Sequence, residues 1–322
     1  MDRIERRVVV PSTLAGKRLD QAAAVLLHEF SRSRLRTWID AGKLTVGGAV
    51  SAARTRVHGG EELRLDAELG EAEQASVAAE PIPLRVLYED AALLVVDKPA
   101  GLVVHPGAGN RSGTLQNALL HRDPALARVP RAGLVHRLDK DTSGLLLVAR
   151  TVQAQTALAA QIAARSVERT YRAVCQGALT GGGEVDAPIG RHRRDRVKMA
   201  VVERGRPART RYVVLERFRA HTLLQLRLDT GRTHQIRVHM AHIRAPLVGD
   251  PVYGGRTRLP KHPSPQLQRA LASFKRQALH ASELRLAHPG SGAPLEFESP
   301  VPEDMQALLD ALREDLAAEP RP

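Results

Sequence analysis

The residues best suited to chemistry lie in Val135-His136-Arg137-Leu138-Asp139-Lys140-Asp141-Thr142-Ser143-Gly144-Leu145, a polar stretch between two apolar runs. Asp139 stands between Arg137 and Lys140 as an ionised, acceptor-only carboxylate. Such a group can act as a covalent nucleophile at an electrophilic carbon. It can equally be half of a structural ion pair in a turn, and the residue types alone leave both readings open.

In Asp229-Thr230-Gly231-Arg232-Thr233-His234-Gln235-Ile236-Arg237-Val238-His239-Met240 a strand is expected to end at Asp229, with a turn at Gly231 and a helix after it. Backbone N–H groups and Arg232 then meet at a helix N-terminus, which suits a phosphate. Glu168-Arg169-Thr170-Tyr171-Arg172-Ala173-Val174 reads as the start of a strand with Tyr171 half-buried, and Gln277 to Leu284 as another strand. His234, His239 and His242 do not have the spacing of a zinc site, and the single cysteine, Cys175, cannot join them. No metal is expected. Cys175 can form no intrachain disulfide, and a buried structural thiol is its simplest role.

These segments need a framework. Strand-like runs at Val86 to Tyr88, Leu93 to Val96, Leu145 to Val148, Tyr171 to Val174, Tyr212 to Leu215 and Leu223 to Leu228 are interspersed with helical patterns at Ala154 to Ala164 and Met305 to Leu316. There is no strict βαβ alternation, so the expected class is α+β with a mixed, largely antiparallel sheet. That domain is assigned to 84–322. A small α/β module is assigned to 1–65, with helical spacing from Leu19 to Phe30 and a second helix carrying Leu35, Trp38 and Ile39 that starts at Ser31 or Ser33. Two short strand pairs punctuated by Gly47-Gly48 and Gly59-Gly60 should follow. Residues 66–83, rich in Glu and Ala and ending Pro81-Ile82-Pro83, read as an acidic linker.

The 322 residues hold 48 Lys+Arg against 35 Asp+Glu, a net charge of +13. That balance calls for a polyanionic partner. An anionic membrane is disfavoured because no apolar run approaches the roughly 20 residues a spanning helix needs. Aromatics are only 3%, too few for a broad base-stacking platform, so a nucleic acid would be held by phosphate contacts. Candidate contacts are Arg32, Arg34, Arg36 and Lys43 on and after the second helix. Arg193, Arg194 and Arg196 lie in the basic run from Arg191 to Arg211.

His136-Arg137-Leu138-Asp139-Lys140-Asp141-Thr142-Ser143-Gly144-Leu145 resembles the signature of the pseudouridine synthases that modify ribosomal RNA, and the module, with Arg18-Leu19-Asp20 and Gly42 to Val46, resembles an S4 RNA-binding domain. The likeness runs from the module through Leu284. It implies that Asp139 is the nucleophile, that Arg137 helps turn the target nucleotide out of its stem, and that Tyr171 lies against the uracil. It makes Arg237 the ion-pair partner of Asp139 and Leu279 an apolar wall. Arg232 and Lys140 are further substrate contacts.

The implied reaction is site-specific isomerisation of uridine in 23S ribosomal RNA during large-subunit maturation. It is an intramolecular rearrangement that needs no cofactor. The resemblance leaves open whether Asp139 attacks C1′ or C6 or removes a ribose proton. A cytoplasmic monomer without a membrane partner is expected. A non-catalytic assembly factor built on a decayed synthase is the rival reading, but decay would first lose Asp139, Arg137, Tyr171 and Arg237, and all are present. A sister synthase acting on another RNA would carry the same motifs.

Overall fold

The structure is a computed structural model that describes residues 3–27, 30, 32–68, 77–107, 109–195 and 198–318. The chain divides into two compact units, Met1–Ser76 and Val77–Pro322.

The smaller unit is built from β1 (Arg3–Val9), α1 (Leu19–Leu26), α2 (Arg32–Asp40), β2 (Leu44–Val46) and β3 (Glu62–Glu68). Its strands form an antiparallel three-stranded sheet in the order β1-β3-β2. The expected two strand pairs are thus replaced by a sheet centred on β3. The basic sequence Arg3–Val9, which carried no strand expectation, supplies one edge. It pairs through backbone groups whatever its side chains are, and charged residues suit a sheet edge. Leu19, Ala22, Ala23 and Leu27 pack with Leu35, Trp38, Ile39, Leu63 and Leu65 in one core. Position 33 falls within α2 rather than before it, and Ser31 lies outside the described residues.

The larger unit begins at Val77. The acidic stretch is therefore not a tether throughout. Residues 66–68 complete β3, and 69–76 lie outside the described residues. The Glu80 carboxylate accepts from Gly113 N at 3.1 Å, and Ala78 O accepts from Asn117 Nδ2 at 2.7 Å.

The elements that follow are β4 (Arg85–Glu89), β5 (Leu93–Lys98), α3 (Leu115–Arg122), β6 (Ser143–Ala149), α4 (Val152–Ala163), β7 (Glu168–Gln176), β8 (Gly183–Asp186), β9 (Ile189–Arg191) and β10 (Met199–Val201). Then come β11 (Arg209–Arg217), β12 (His221–Leu228), α5 (Gln235–His242), α6 (Pro265–Ser273), β13 (Leu279–Ala287), β14 (Pro294–Glu298) and α7 (Glu303–Ala317).

The main sheet has nine strands in the order β4-β5-β6-β13-β7-β12-β11-β8, with β14 added to β13. Only β6 and β13 pair in parallel, at His280↔Ser143 and Ala281↔Gly144; the other pairings are antiparallel, as expected. The apolar runs of β5 and β6 are continuous because both faces are covered. Leu94, Val96, Leu146 and Val148 pack with Leu115 and Leu119 of α3, while Leu93, Val95, Leu145 and Leu147 pack with Leu158 of α4. Cys175 is buried in β7. Among the described residues no helix is long and apolar enough to cross a membrane.

Candidate active site

Asp139 lies in the loop that runs into β6, where its carbonyl accepts from Thr142 N at 3.1 Å and closes a turn. Beneath this turn is a buried lysine. Lys98 Nζ donates to Pro99 O at 2.7 Å, Leu102 O at 3.0 Å and Lys140 O at 2.9 Å. Burial brings its pKa down to about 7, against the pull of Asp141 and Asp139. Lys98 thus ties the end of β5 to the residue that follows Asp139.

The second wall is the stretch from Asp229 into α5. β12 ends at Leu228, and His234 caps α5 in the left-handed conformation, φ 57°. Gln235 holds the turn together: its Oε1 accepts from Thr230 Oγ1 at 2.7 Å and Arg232 N at 3.0 Å, and its Nε2 donates to Arg209 O at 2.8 Å and Thr210 Oγ1 at 3.0 Å. All four of that amide's main bonding positions are used, so a glutamine at this spot fixes the loop.

One turn into α5, Arg237 joins two carboxylates. Its Nη1 donates to Asp139 Oδ2 at 3.0 Å, and its Nε and Nη2 donate to Asp250 at 2.7 and 2.8 Å. Burial opposes the charge on Arg237, but Asp250 and Asp139 outweigh it and hold the guanidinium above its usual value. Burial alone would raise the Asp250 carboxyl, yet Arg237 and the amides of Tyr253 and Val252 hold it below the usual carboxylate range. The other oxygen of Asp139 faces His234 Nε2 at 3.9 Å. Met199 N can only donate, and it donates to Tyr253 Oη at 2.9 Å, which leaves the Tyr253 proton for His234 Nδ1 at 2.8 Å. With the Tyr253 proton given to Nδ1, the neutral imidazole presents Nε2–H toward Asp139; this is the tautomer in which both ring nitrogens are engaged. Burial pushes His234 down, and so favours this neutral form.

Asp139, His234, Gln235 and Arg237 line a cavity of about 390 Å³, with Arg137, Leu138, Arg165, Arg169, Tyr171, Arg232 and Leu279 around it. The volume suits one small ligand or one nucleotide base with its sugar. Tyr171 and Leu279 are 5% and 4% exposed, so they present an apolar wall rather than mobile side chains. Burial pushes the Tyr171 phenol up and keeps it neutral.

A model of the RNA pseudouridylate synthase family matches residues 92–242. The chain is 58% identical over 317 residues to ribosomal large subunit pseudouridine synthase D of Xanthomonas campestris pv. campestris, covering 98% of this chain and 95% of the relative. It is 57% identical to the protein of the same name in Pseudomonas aeruginosa, over 98% of each chain. The chain belongs to the RNA pseudouridylate synthase family. Among solved structures it resembles human RNA pseudouridylate synthase domain containing 4, with TM-score 0.55 and 28% identity over 71% of this chain and 93% of that one.

Six of the seven catalytic and substrate-binding residues singled out in the sequence line this cavity of the pseudouridylate synthase. Asp139, Arg137, Tyr171, Arg232, Arg237 and Leu279 converge on it. Lys140 does not: it is exposed in the turn, outside the cavity lining, and it is its carbonyl that is engaged. Arg193 and Arg194 are exposed between β9 and β10, and Arg196 lies outside the described residues. In the smaller unit Lys43 is exposed, Arg36 pairs with Asp40 at 3.6 Å, and the Arg34 guanidinium sits 5.8 Å from the Trp38 ring centre. Arg32 starts α2.

Sequence reasoning missed Asp250, Tyr253, Gln235, Lys98 and Arg169. The Gly249-Asp250-Pro251 turn signal was the one available pointer to Asp250. His239 is structural, with Nδ1 at 2.9 Å from Thr210 Oγ1 and Nε2 at 2.9 Å from Ala187 O. Among the described residues no group of three or more His, Cys, Asp or Glu side chains is arranged to hold a metal.

Proposed function

We propose that this protein isomerises uridine to pseudouridine at specific sites of 23S ribosomal RNA in the large subunit. The observation that carries this reading is the Asp139 carboxylate, bonded by Arg237 Nη1 at 3.0 Å at a cavity walled by Tyr171 and Leu279. In the reaction the C1′–N1 bond breaks, the uracil rotates, the C1′–C5 bond forms, and the proton lost from C5 is balanced by one gained at N1. Asp139 starts it by attack on C1′ or C6 or by taking a ribose proton. Each of these steps needs an oriented anion, which the bidentate Asp250–Arg237 pair provides by fixing the guanidinium. Tyr171 and Leu279 hold the extruded base through both bond changes, and Arg137 occupies the space the base leaves in its stem. No group beyond the chain is needed to balance the reaction. The smaller unit acts as an S4-type RNA-binding domain through Arg32, Arg34, Arg36 and Lys43. In the larger unit, the basic run with Arg193, Arg194 and Arg196 adds phosphate contacts. The enzyme works as a cytoplasmic monomer.

The test is pseudouridine formation in protein-free large-subunit ribosomal RNA by wild type and Asp139→Asn, with a binding isotherm for each. Turnover should fall below detection while RNA affinity stays within about threefold, because phosphate contacts dominate binding. Isomerisation by Asp139→Asn at more than about 1% of the wild-type rate would remove Asp139 from its role.

A further inference from the structure

The cavity holds more positive charge than the isomerisation needs. Two carboxylates line it, and both are already paired: Asp139 with Arg237 at 3.0 Å and Asp229 with Arg211 at 3.1 Å. Arg165, Arg169 and Arg232 line the same cavity without an acidic partner among the described residues. Arg169 is the most telling. It is only 8% exposed, its Nε is shut off from solvent with no acceptor, and no hydrogen bond joins its guanidinium to a described residue. A buried guanidinium without a counter-charge is costly, so an anion from outside the chain is the natural complement.

Its surroundings are shaped for that purpose. A methyl group on Gly231 would stand 3.1 Å from Arg169 Nη1, so the glycine leaves room for the guanidinium at the turn before α5. Arg232 has its Nε fixed by Pro207 O at 3.1 Å, which leaves its terminal nitrogens for a ligand. Arg165 follows the C-cap of α4 with φ 62°, a left-handed position where glycine is the usual residue. An arginine there keeps a strained backbone and gains a third cation over the same cavity.

We infer that Arg165, Arg169 and Arg232 form a seat for one phosphodiester group of the RNA strand, beside the nucleotide whose base enters against Tyr171. The inference rests on the isomerase reading for the identity of the strand. Its own content is that the seat reads backbone charge rather than the base. Guanidinium groups grip two phosphate oxygens at once, and holding the phosphate fixes the ribose against Asp139.

The experiment measures RNA affinity and kcat/KM against salt for the full chain, for Arg169→Met and for the exposed Arg165→Gln, on large-subunit ribosomal RNA. Each variant should lower the slope of log affinity against log salt by about 0.7–0.9, the contribution of one phosphate contact. Affinity at low salt should fall about 10-fold. Arg169→Met should unfold at the same or a higher temperature than wild type, because methionine fills the space without a charge. A contact to a uracil carbonyl would release no counterion, so wild-type slopes in both variants overturn the seat. The binding slopes report on the seat even if wild type forms no pseudouridine, which separates its failure from that of the isomerase reading. If Arg169→Met does not fold, Arg165→Gln decides alone, by the same slope.

Discussion

Asp139 and Asp250 share one guanidinium: Arg237 gives Nη1 to the first at 3.0 Å and its Nε and Nη2 to the second at 2.7 and 2.8 Å. The bidentate half is completely buried, with the Asp250 side chain 0% exposed, and it also accepts from Val252 N and Tyr253 N. Asp250 is thus the anchor, and Asp139 uses the one guanidinium nitrogen that remains.

Asp250→Asn should therefore act on both stability and turnover. Removing one member of a buried pair costs about 3 kcal/mol, and the unfolding temperature should fall by roughly 6–12 °C for a unit of this size. The same variant should lower kcat with a smaller change in RNA affinity, since Asp250 lies behind the cavity rather than along the RNA. Thermal unfolding and pseudouridine formation together check this; a wild-type melting temperature with wild-type kcat would show that Asp250 is no anchor.

Because Asp250 is held below the usual carboxylate range, the stability it lends is present above the ordinary carboxylate pKa and is lost as pH falls through its lower folded value. Acid unfolding below about pH 4 should consequently be less steep in Asp250→Asn than in wild type. Urea midpoints measured from pH 5 down to pH 2.5 read this directly.

Histidines give a second, higher window. Burial pushes His105, His136, His221, His234, His239 and His280 below the usual imidazole value, His136 to about 3 and His221 to about 4. His136 must stay neutral, because its Nε2 accepts from Leu147 N at 3.0 Å. A lowered histidine lends stability above its unfolded value near 6.5; as pH falls below that, the unfolded chain takes up the proton and the folded one does not. Stability should thus drop by about 1.4 kcal/mol per pH unit for each such histidine between pH 6.5 and its folded value. Urea unfolding at pH 7, 6 and 5 should show a steep loss, and His136→Phe should reduce it; equal stability at pH 7 and 5 would contradict these burials.

Gly144 sits at the parallel β6–β13 junction with φ 108°, and a Cβ there would meet Ala281 O at 2.2 Å. That atom is backbone and cannot step aside. Gly144→Ala should cost about 3 kcal/mol or more and should misplace the loop bearing Asp139. Turnover should fall at least 10-fold even below the melting temperature, and Gly181→Ala, with open space around its Cβ and no left-handed backbone, is the control for a glycine change that touches nothing.

RNA affinity should depend on the smaller unit. Replacing Arg34, Arg36 and Lys43 by alanine should flatten the salt dependence by about 0.7–0.9 for each phosphate that the variant no longer neutralises. An unchanged slope would leave α2 as a solvated surface.

The sequence alone singled out Asp139, Arg237, Tyr171 and Leu279 as residues of one site, and it determined the α+β class. Those residues sit in continuous motifs, and strands such as Leu93–Lys98 and Ser143–Ala149 announce themselves by apolar runs whose period is local. Tertiary structure decided the rest. Asp250 lies 13 residues beyond Arg237 and is fixed by a turn, so no helical or strand period ties the two together. Arg169 looked like an ordinary member of a strand, and Lys98 carried no expectation at all; what distinguishes them is burial, one satisfied by three carbonyls and the other by none. β1 was invisible because an edge strand is held by backbone hydrogen bonds to β3, and the two of its side chains that pack on the core, Ile4 and Val8, are too few to show a period. Lys140 lies outside the cavity for the complementary reason: adjacency to Asp139 in sequence does not set which neighbour faces the cavity, and the path of the backbone leaves Lys140 exposed on the turn.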